Sequence, residues 1–356
     1  MSEIGGPRRR VRGAQQGGRM ARGTGGRAID IHAHVMTPEA EEIAAPLFSP
    51  EKDPFVAFSG PASETYNRAH FAEIAPKLSL PEERLRDMDR MDVDVQAISV
   101  APPQYFYWVD PQLGAKLSGM INDRLFEIVQ GHPDRFVGLG TLPMQDIDLA
   151  LSELERVVGE LDFHGLEICT NVNGVDLDDA RFVPFFEQVV ARDLLLVVHP
   201  NGFTHGERLA EHYLINTVGM PMDSTIFAAR LVFGGVLERF PALKICIVHG
   251  GGYLPFYPAR FDHAYEARAD CRERISRPPS TYLAQLYFDT MVFDPAMVGE
   301  LVRRWGADHV LLGTDYPYDM GETDPLGLVD AVDGLDADAR SLIVGGNAAR
   351  LLRLAP

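Results

Sequence analysis

From residue 28 onward, short apolar runs alternate with longer stretches whose apolar positions recur every three or four residues. The runs cover 28–33, 95–100, 136–142, 165–170, 194–199, 244–249, 286–290 and 310–315. Runs this short and this apolar predict strands buried on both faces. The helical repeat predicts helices over 81–92, 112–131, 146–160, 179–192, 223–239, 254–268, 295–305 and 335–354. Strands and helices in strict alternation build a parallel sheet, and eight such units close a (β/α)8 TIM barrel of the α/β class.

Local signals fix the phase. Pro81-Glu82-Glu83, Asp178-Asp179 and Asp294-Pro295 stand where the first, fourth and seventh helices should open, and each is a helix-start signature. Two connections exceed an ordinary βα loop. Residues 37–80 read as an insertion over the strand ends, and 200–222 as a second lid; long loops on this barrel face usually shape the active site. Residues 1–27 have no hydrophobic periodicity and are rich in Gly and Arg, which predicts a disordered extension. Residues 28–356 are expected to form one catalytic domain.

Charge narrows the partners. The chain of 356 residues has a formal net charge of -18, and residues 1–27 hold seven arginines against Glu3 alone. The remainder carries 26 basic and 50 acidic side chains, a body that repels phosphate backbones and anionic lipid. No apolar run approaches a bilayer span. Cys169, Cys246 and Cys271 form no C-x-x-C pair, so reduced thiols are expected. A soluble, cytoplasmic protein without nucleic-acid or membrane partners is the expectation.

The chemistry collects at strand ends. Asp30-Ile31-His32-Ala33-His34 puts two imidazoles two residues apart, hence on one face of a strand. His199 closes the fifth run, His249 the sixth and Asp315 the eighth. Burying one such group after an apolar run is unfavourable unless it is paired or metal-bound. Five of them at the same end of four strands point to a metal site.

This pattern resembles the amidohydrolase superfamily, which carries H-x-H on strand one, His on strands five and six, and Asp on strand eight. The likeness extends to the branch containing aminocarboxymuconate-semialdehyde decarboxylase and γ-resorcylate decarboxylase. It rests on Met88-Asp89-Arg90-Met91-Asp92-Val93-Asp94-Val95-Gln96, His249-Gly250-Gly251-Gly252, Gly313-Thr314-Asp315-Tyr316-Pro317 and Gly346-Asn347-Ala348. The resemblance implies one divalent metal on His32, His34, His199 and Asp315, with His249 and Asp315 managing protons. No lysine stands in Glu167-Ile168-Cys169-Thr170 to bridge a second metal. Zinc suits three imidazoles and a carboxylate, and manganese is also permitted.

The same resemblance implies a small carboxylic acid substrate held by Arg260, supplied across a homodimer, and by Arg68 in the first insertion. Trp108, Phe203 and Tyr213 add rings suited to a planar conjugated acid. The reaction expected is non-oxidative decarboxylation of an aromatic or conjugated unsaturated acid. Hydrolysis of a lactone, ester or amide, or a hydration, is the alternative from the same constellation.

Overall fold

The computed structural model describes residues 26–354. Its core is a sheet of eight parallel strands in sequential order: β1 (Ile29–Val35), β2 (Val95–Val100), β3 (Phe136–Gly140), β4 (Gly165–Cys169), β5 (Leu195–His199), β6 (Lys244–Ile247), β7 (Tyr287–Asp289) and β8 (Val310–Leu311). The sheet closes on itself after β8. The Ile31 amide donates to the Leu312 carbonyl at 2.9 Å, the Asp315 amide to His32 at 2.8 Å, and the His34 amide to Tyr316 at 2.8 Å. The expected barrel is therefore present, and every strand begins within a residue of its apolar run, but two strands end short of the polar residue expected to close them.

Those two ends correct the sequence reading. The sixth and eighth runs were expected to stay extended through His249 and Asp315, but the strands stop at Ile247 and Leu311. Both His249 (φ 56°) and Asp315 (φ 55°) adopt left-handed backbone, which an extended strand cannot contain. The chain turns sharply at each, swinging the side chain over the barrel mouth.

The helices form as their patterns require. Pro111–Gly131 is capped by Asp110, whose carboxylate accepts from the amides of Gln112 and Leu113, and buries Leu117, Ile121, Leu125 and Ile128 along one stripe. Asp146, Asp179 and Asp294 cap the next helices in the same way. The insertion after β1 is mostly helical, with Pro38–Ala44 and Pro61–Ser79 as its main pieces. The helix expected over 223–239 begins earlier, at Met220, and breaks at Gly234-Gly235 before resuming as Val236–Arg239. The last helix is interrupted by a π turn over Leu342–Gly346.

The Arg- and Gly-rich stretch 1–27 lies almost wholly outside the described residues. Cys169, Cys246 and Cys271 are all free, as expected. Among the described residues no helix is long and apolar enough to cross a membrane.

Candidate metal centre

On β1 the two-residue repeat places Asp30, His32 and His34 on one face. That face is the barrel interior, because His32 reaches across to Asp289 on β7 and His34 approaches Glu167 on β4. His199 ends β5, and the left-handed turns after β6 and β8 bring in His249 and Asp315. Ring centroids of His32, His34 and His199 lie 4.8–5.0 Å apart, and His249 stands 4.9 Å from His199. The structure thus gathers all five residues picked out at strand ends.

Each inner imidazole has one nitrogen committed. His32 Nδ1 donates to Asp289 Oδ2 at 2.7 Å, His34 Nδ1 to the Val100 carbonyl at 3.1 Å, and His199 Nδ1 to the Pro200 carbonyl at 2.6 Å. Carboxylate and carbonyl oxygens only accept, so Nδ1 carries the hydrogen and Nε2 keeps its lone pair. All three Nε2 atoms are buried without a hydrogen-bond partner, as is Asp315 Oδ1. Oδ1 lies 3.3 Å from His32 Nε2, 3.2 Å from His34 Nε2 and 3.9 Å from His199 Nε2. Four converging, unpartnered donors are costly unless a cation satisfies them, and their chemistry fits a divalent metal.

A purely geometric grouping within 4.8 Å instead joins His32, His199, His249 and Asp315. Hydrogen bonding separates the roles. The unpartnered buried atom of His249 is Nδ1, and its Nε2 faces Asp315 Oδ2 at 3.5 Å. His34, by contrast, aims an unpartnered Nε2 at the same oxygen as His32 and His199 do.

The charges reinforce one another. Burial disfavours the charged form of His32, yet Asp315 and Asp289 outweigh it and hold its pKa well above the ordinary imidazole value. Burial and the adjoining imidazoles push His199 well below that value. Asp315, although buried, is held well below the usual carboxylate range by the imidazoles around it. Protons and a cation therefore compete for the same lone pairs.

Sequence reasoning missed the supporting ring. Asp289 is fully buried; besides His32 it accepts from the amides of Gly250 at 2.8 Å and Met291 at 3.2 Å. Asp30, beneath the imidazoles, accepts from the Thr314 hydroxyl at 2.6 Å and the Gln96 amide at 2.9 Å, and burial pushes its carboxyl up to about 6. Glu167 accepts from the Tyr105 hydroxyl at 2.9 Å and leaves Oε2 unpartnered; burial raises its pKa.

Above the cluster a cleft is lined by His199, His249 and Asp315 together with Phe55, Asn67, His70, Phe71, Asn201, Tyr213, Asn216 and Tyr318. Tyr213 lines the cleft, its hydroxyl 3.5 Å from Asp319. The other substrate candidates are elsewhere. Arg68 is exposed and outside the cleft, because Asn67, His70 and Phe71 define the inward face of its helix and position 68 turns to solvent. Arg260 is exposed on Pro258–Ala267 and touches no part of this cleft. Phe203 stands edge-on to His205. Trp108 lines a separate aromatic hollow, where the Lys52 ammonium sits 5.0 Å from its ring centroid. Among the described residues no Lys or Arg lines the cleft. His70 and Tyr318, which the sequence did not single out, also line it, and each has a buried polar atom without a hydrogen-bond partner.

Comparison with known proteins gives a consistent picture. The amidohydrolase family profile matches residues 29–354. The chain is 36% identical over 287 residues to 2-amino-3-carboxymuconate-6-semialdehyde decarboxylase of Dictyostelium discoideum, covering 80% of both chains. It superposes with a TM-score of 0.83 on 5-carboxyvanillate decarboxylase from Sphingomonas paucimobilis, at 27% identity, covering 92% of this chain and 99% of that one. A dihydroxybenzoic acid decarboxylase from Polaromonas sp. JS666, solved with manganese and 2-nitroresorcinol, superposes at 0.76 with 26% identity, covering 92% and 97%.

Proposed function

The chain belongs to the amidohydrolase family, and on that footing we propose how its site works: as a metal-dependent decarboxylase that removes CO2 from an aromatic or conjugated unsaturated carboxylic acid without a redox cofactor. The observation that carries the reading is the division of Asp315, one oxygen turned to three lone-pair nitrogens and the other to His249. Similarity to named decarboxylases along most of the chain supports a lyase over a hydrolase.

His32, His34, His199 and Asp315 would hold the metal. A divalent cation bound there polarises the oxygen functions of the acid and offsets charge that develops on them. His249 and Asp315 hold a proton at the mouth of the cleft, within reach of a bound acid. Delivery of that proton to the carbon bearing the carboxylate lets the C–C bond break, its electron pair returning to the conjugated system as CO2 leaves. Tyr318, whose pKa burial raises well above the ordinary phenol value, stays protonated and offers a hydrogen bond to the substrate. Phe55, Phe71 and Tyr213 supply ring faces for a planar acid.

Zinc is the metal we propose, since three imidazoles and one carboxylate match its preferences. We also assign residues 28–356 to one catalytic unit. Three free thiols support a reducing, cytoplasmic setting. Among the described residues no arginine or lysine of one copy lines the cleft to pair with the acid, which supports a homodimer in which Arg260 of one copy serves the other. Arg68 is exposed and outside the cleft of its own copy, and we assign it no contact with the acid.

The test is an assay of metal-loaded protein against hydroxybenzoates, muconate semialdehydes, lactones and esters, following CO2 and acid release separately. CO2 from at least one conjugated acid is expected. Lactone or ester cleavage with no CO2 from any acid would overturn the lyase in favour of a hydrolase.

A further inference from the structure

A second hollow opens off the metal cleft. It shares Asn216, His249, Asp315, Met220 and Met320 with the cleft and continues outward between Met291, Val292 and Met297. We propose that this hollow is a subsite for an apolar substituent, alkyl or aryl, carried by the acid on the side facing His249. The proposal deepens the decarboxylase reading and rests on it for the placement of the carboxylate at the metal centre.

The wall chemistry selects the class. Four of the lining side chains are methionines, unbranched and polarisable, which adapt to an irregular apolar guest. Among the described residues the wall carries no Lys, Arg or Glu, and its one acidic group, Asp315, stands beside His249 at the shared mouth. A second carboxylate placed deeper would give up water where, among the described residues of the same copy, no Lys or Arg lines the hollow, whereas a hydrocarbon group gains by leaving water.

The hollow is also held in fixed relation to the metal cluster. Asp289, which orients His32, accepts the Met291 amide through its other oxygen, and the Val292 amide is tied to the Thr290 carbonyl at 2.8 Å. Across the gap Gly250 (φ 63°) donates to that same Asp289 oxygen. A Cβ at Gly250 would stand 2.3 Å from Val292 Cγ1, so glycine is what lets the turn carrying His249 sit this close to the subsite wall. One buried carboxylate thus sets both the metal-facing nitrogen and the position of the apolar wall.

Calorimetric titration of the zinc-loaded protein with benzoate, 3-propylbenzoate and 4-propylbenzoate tests the subsite without requiring turnover. One of the propyl acids is expected to bind about tenfold tighter than benzoate, below the ceiling of roughly sixtyfold that three fully buried carbons would give. In Met297→Trp and Val292→Trp, checked for unchanged circular dichroism and metal content, the propyl-to-benzoate ratio should fall towards unity. Equal binding of all three acids by the unmodified protein, as when a second copy of the chain fills the hollow, would overturn the subsite, and so would a ratio unchanged in both variants. Absence of CO2 from every acid would strike the decarboxylase reading while leaving this ratio intact, so the two failures are distinguishable.

Discussion

The Oδ2 atom of Asp315 lies 3.5 Å from Nε2 of His249, while Oδ1 of the same carboxylate faces the Nε2 atoms of His32, His34 and His199. One side chain therefore joins the proposed metal donors to the proposed proton donor. The left-handed backbone at both Asp315 and His249 is what turns them over the barrel mouth. Strain of this kind costs on the order of 1 kcal/mol per residue and persists where surrounding structure enforces it.

Asp289 should matter to the metal without touching it. Its hydrogen bond fixes the His32 ring so that Nε2 faces inward. Asp289→Asn is expected to keep the fold and weaken metal affinity on the order of 10- to 100-fold. Competition with a chelator measures this, and wild-type affinity in the variant would contradict it.

Tyr105 supports Glu167 in the barrel interior, where the carboxyl has the Tyr105 hydroxyl at 2.9 Å and an unpartnered Oε2. Tyr105→Phe removes that donor and leaves a buried acceptor bare. A loss of about 1–3 kcal/mol of stability is expected, readable as a lower urea midpoint at constant slope.

Asp223 should make stability depend on pH in an unusual direction. Burial raises its carboxyl from 3.8 to about 6, despite hydrogen bonds from Thr170 and from Asn171 at 3.2 Å. Between those values the folded protein holds a proton that the unfolded chain has released, so this group's contribution falls as pH rises through the window. The loss is roughly 3 kcal/mol once pH exceeds the folded value. In Asp223→Asn that component is absent, and denaturation between pH 4.5 and 8 should show a flatter profile than the parent. Parallel profiles would contradict it.

The barrel was legible because its strands are apolar on both faces and its helices carry a stripe, two signals that differ in period. The donor residues were legible for the same reason: His199 interrupts an apolar run where nothing else polar does. Asp289 could have been found by that logic, since it closes Tyr287-Phe288, and Asp30 shares the face of His32 by simple alternation. The turns at His249 and Asp315 were not legible, because no rule of composition announces a left-handed backbone at His or Asp. Arg68 was misplaced because Pro61–Ser79 has no apolar stripe from which to phase its faces. Its inward side is set by Asn67, His70 and Phe71 packing over a cleft that forms only when the barrel closes.

Elemental analysis of the parent protein, His34→Ala and His249→Ala, purified side by side, bears most directly on the centre. His34 and His249 both stand beside Asp315, and only one of them is assigned to the metal. The account predicts one divalent metal per chain in the parent and in His249→Ala, with metal lost from His34→Ala. Full metal in His34→Ala together with its loss from His249→Ala would contradict it.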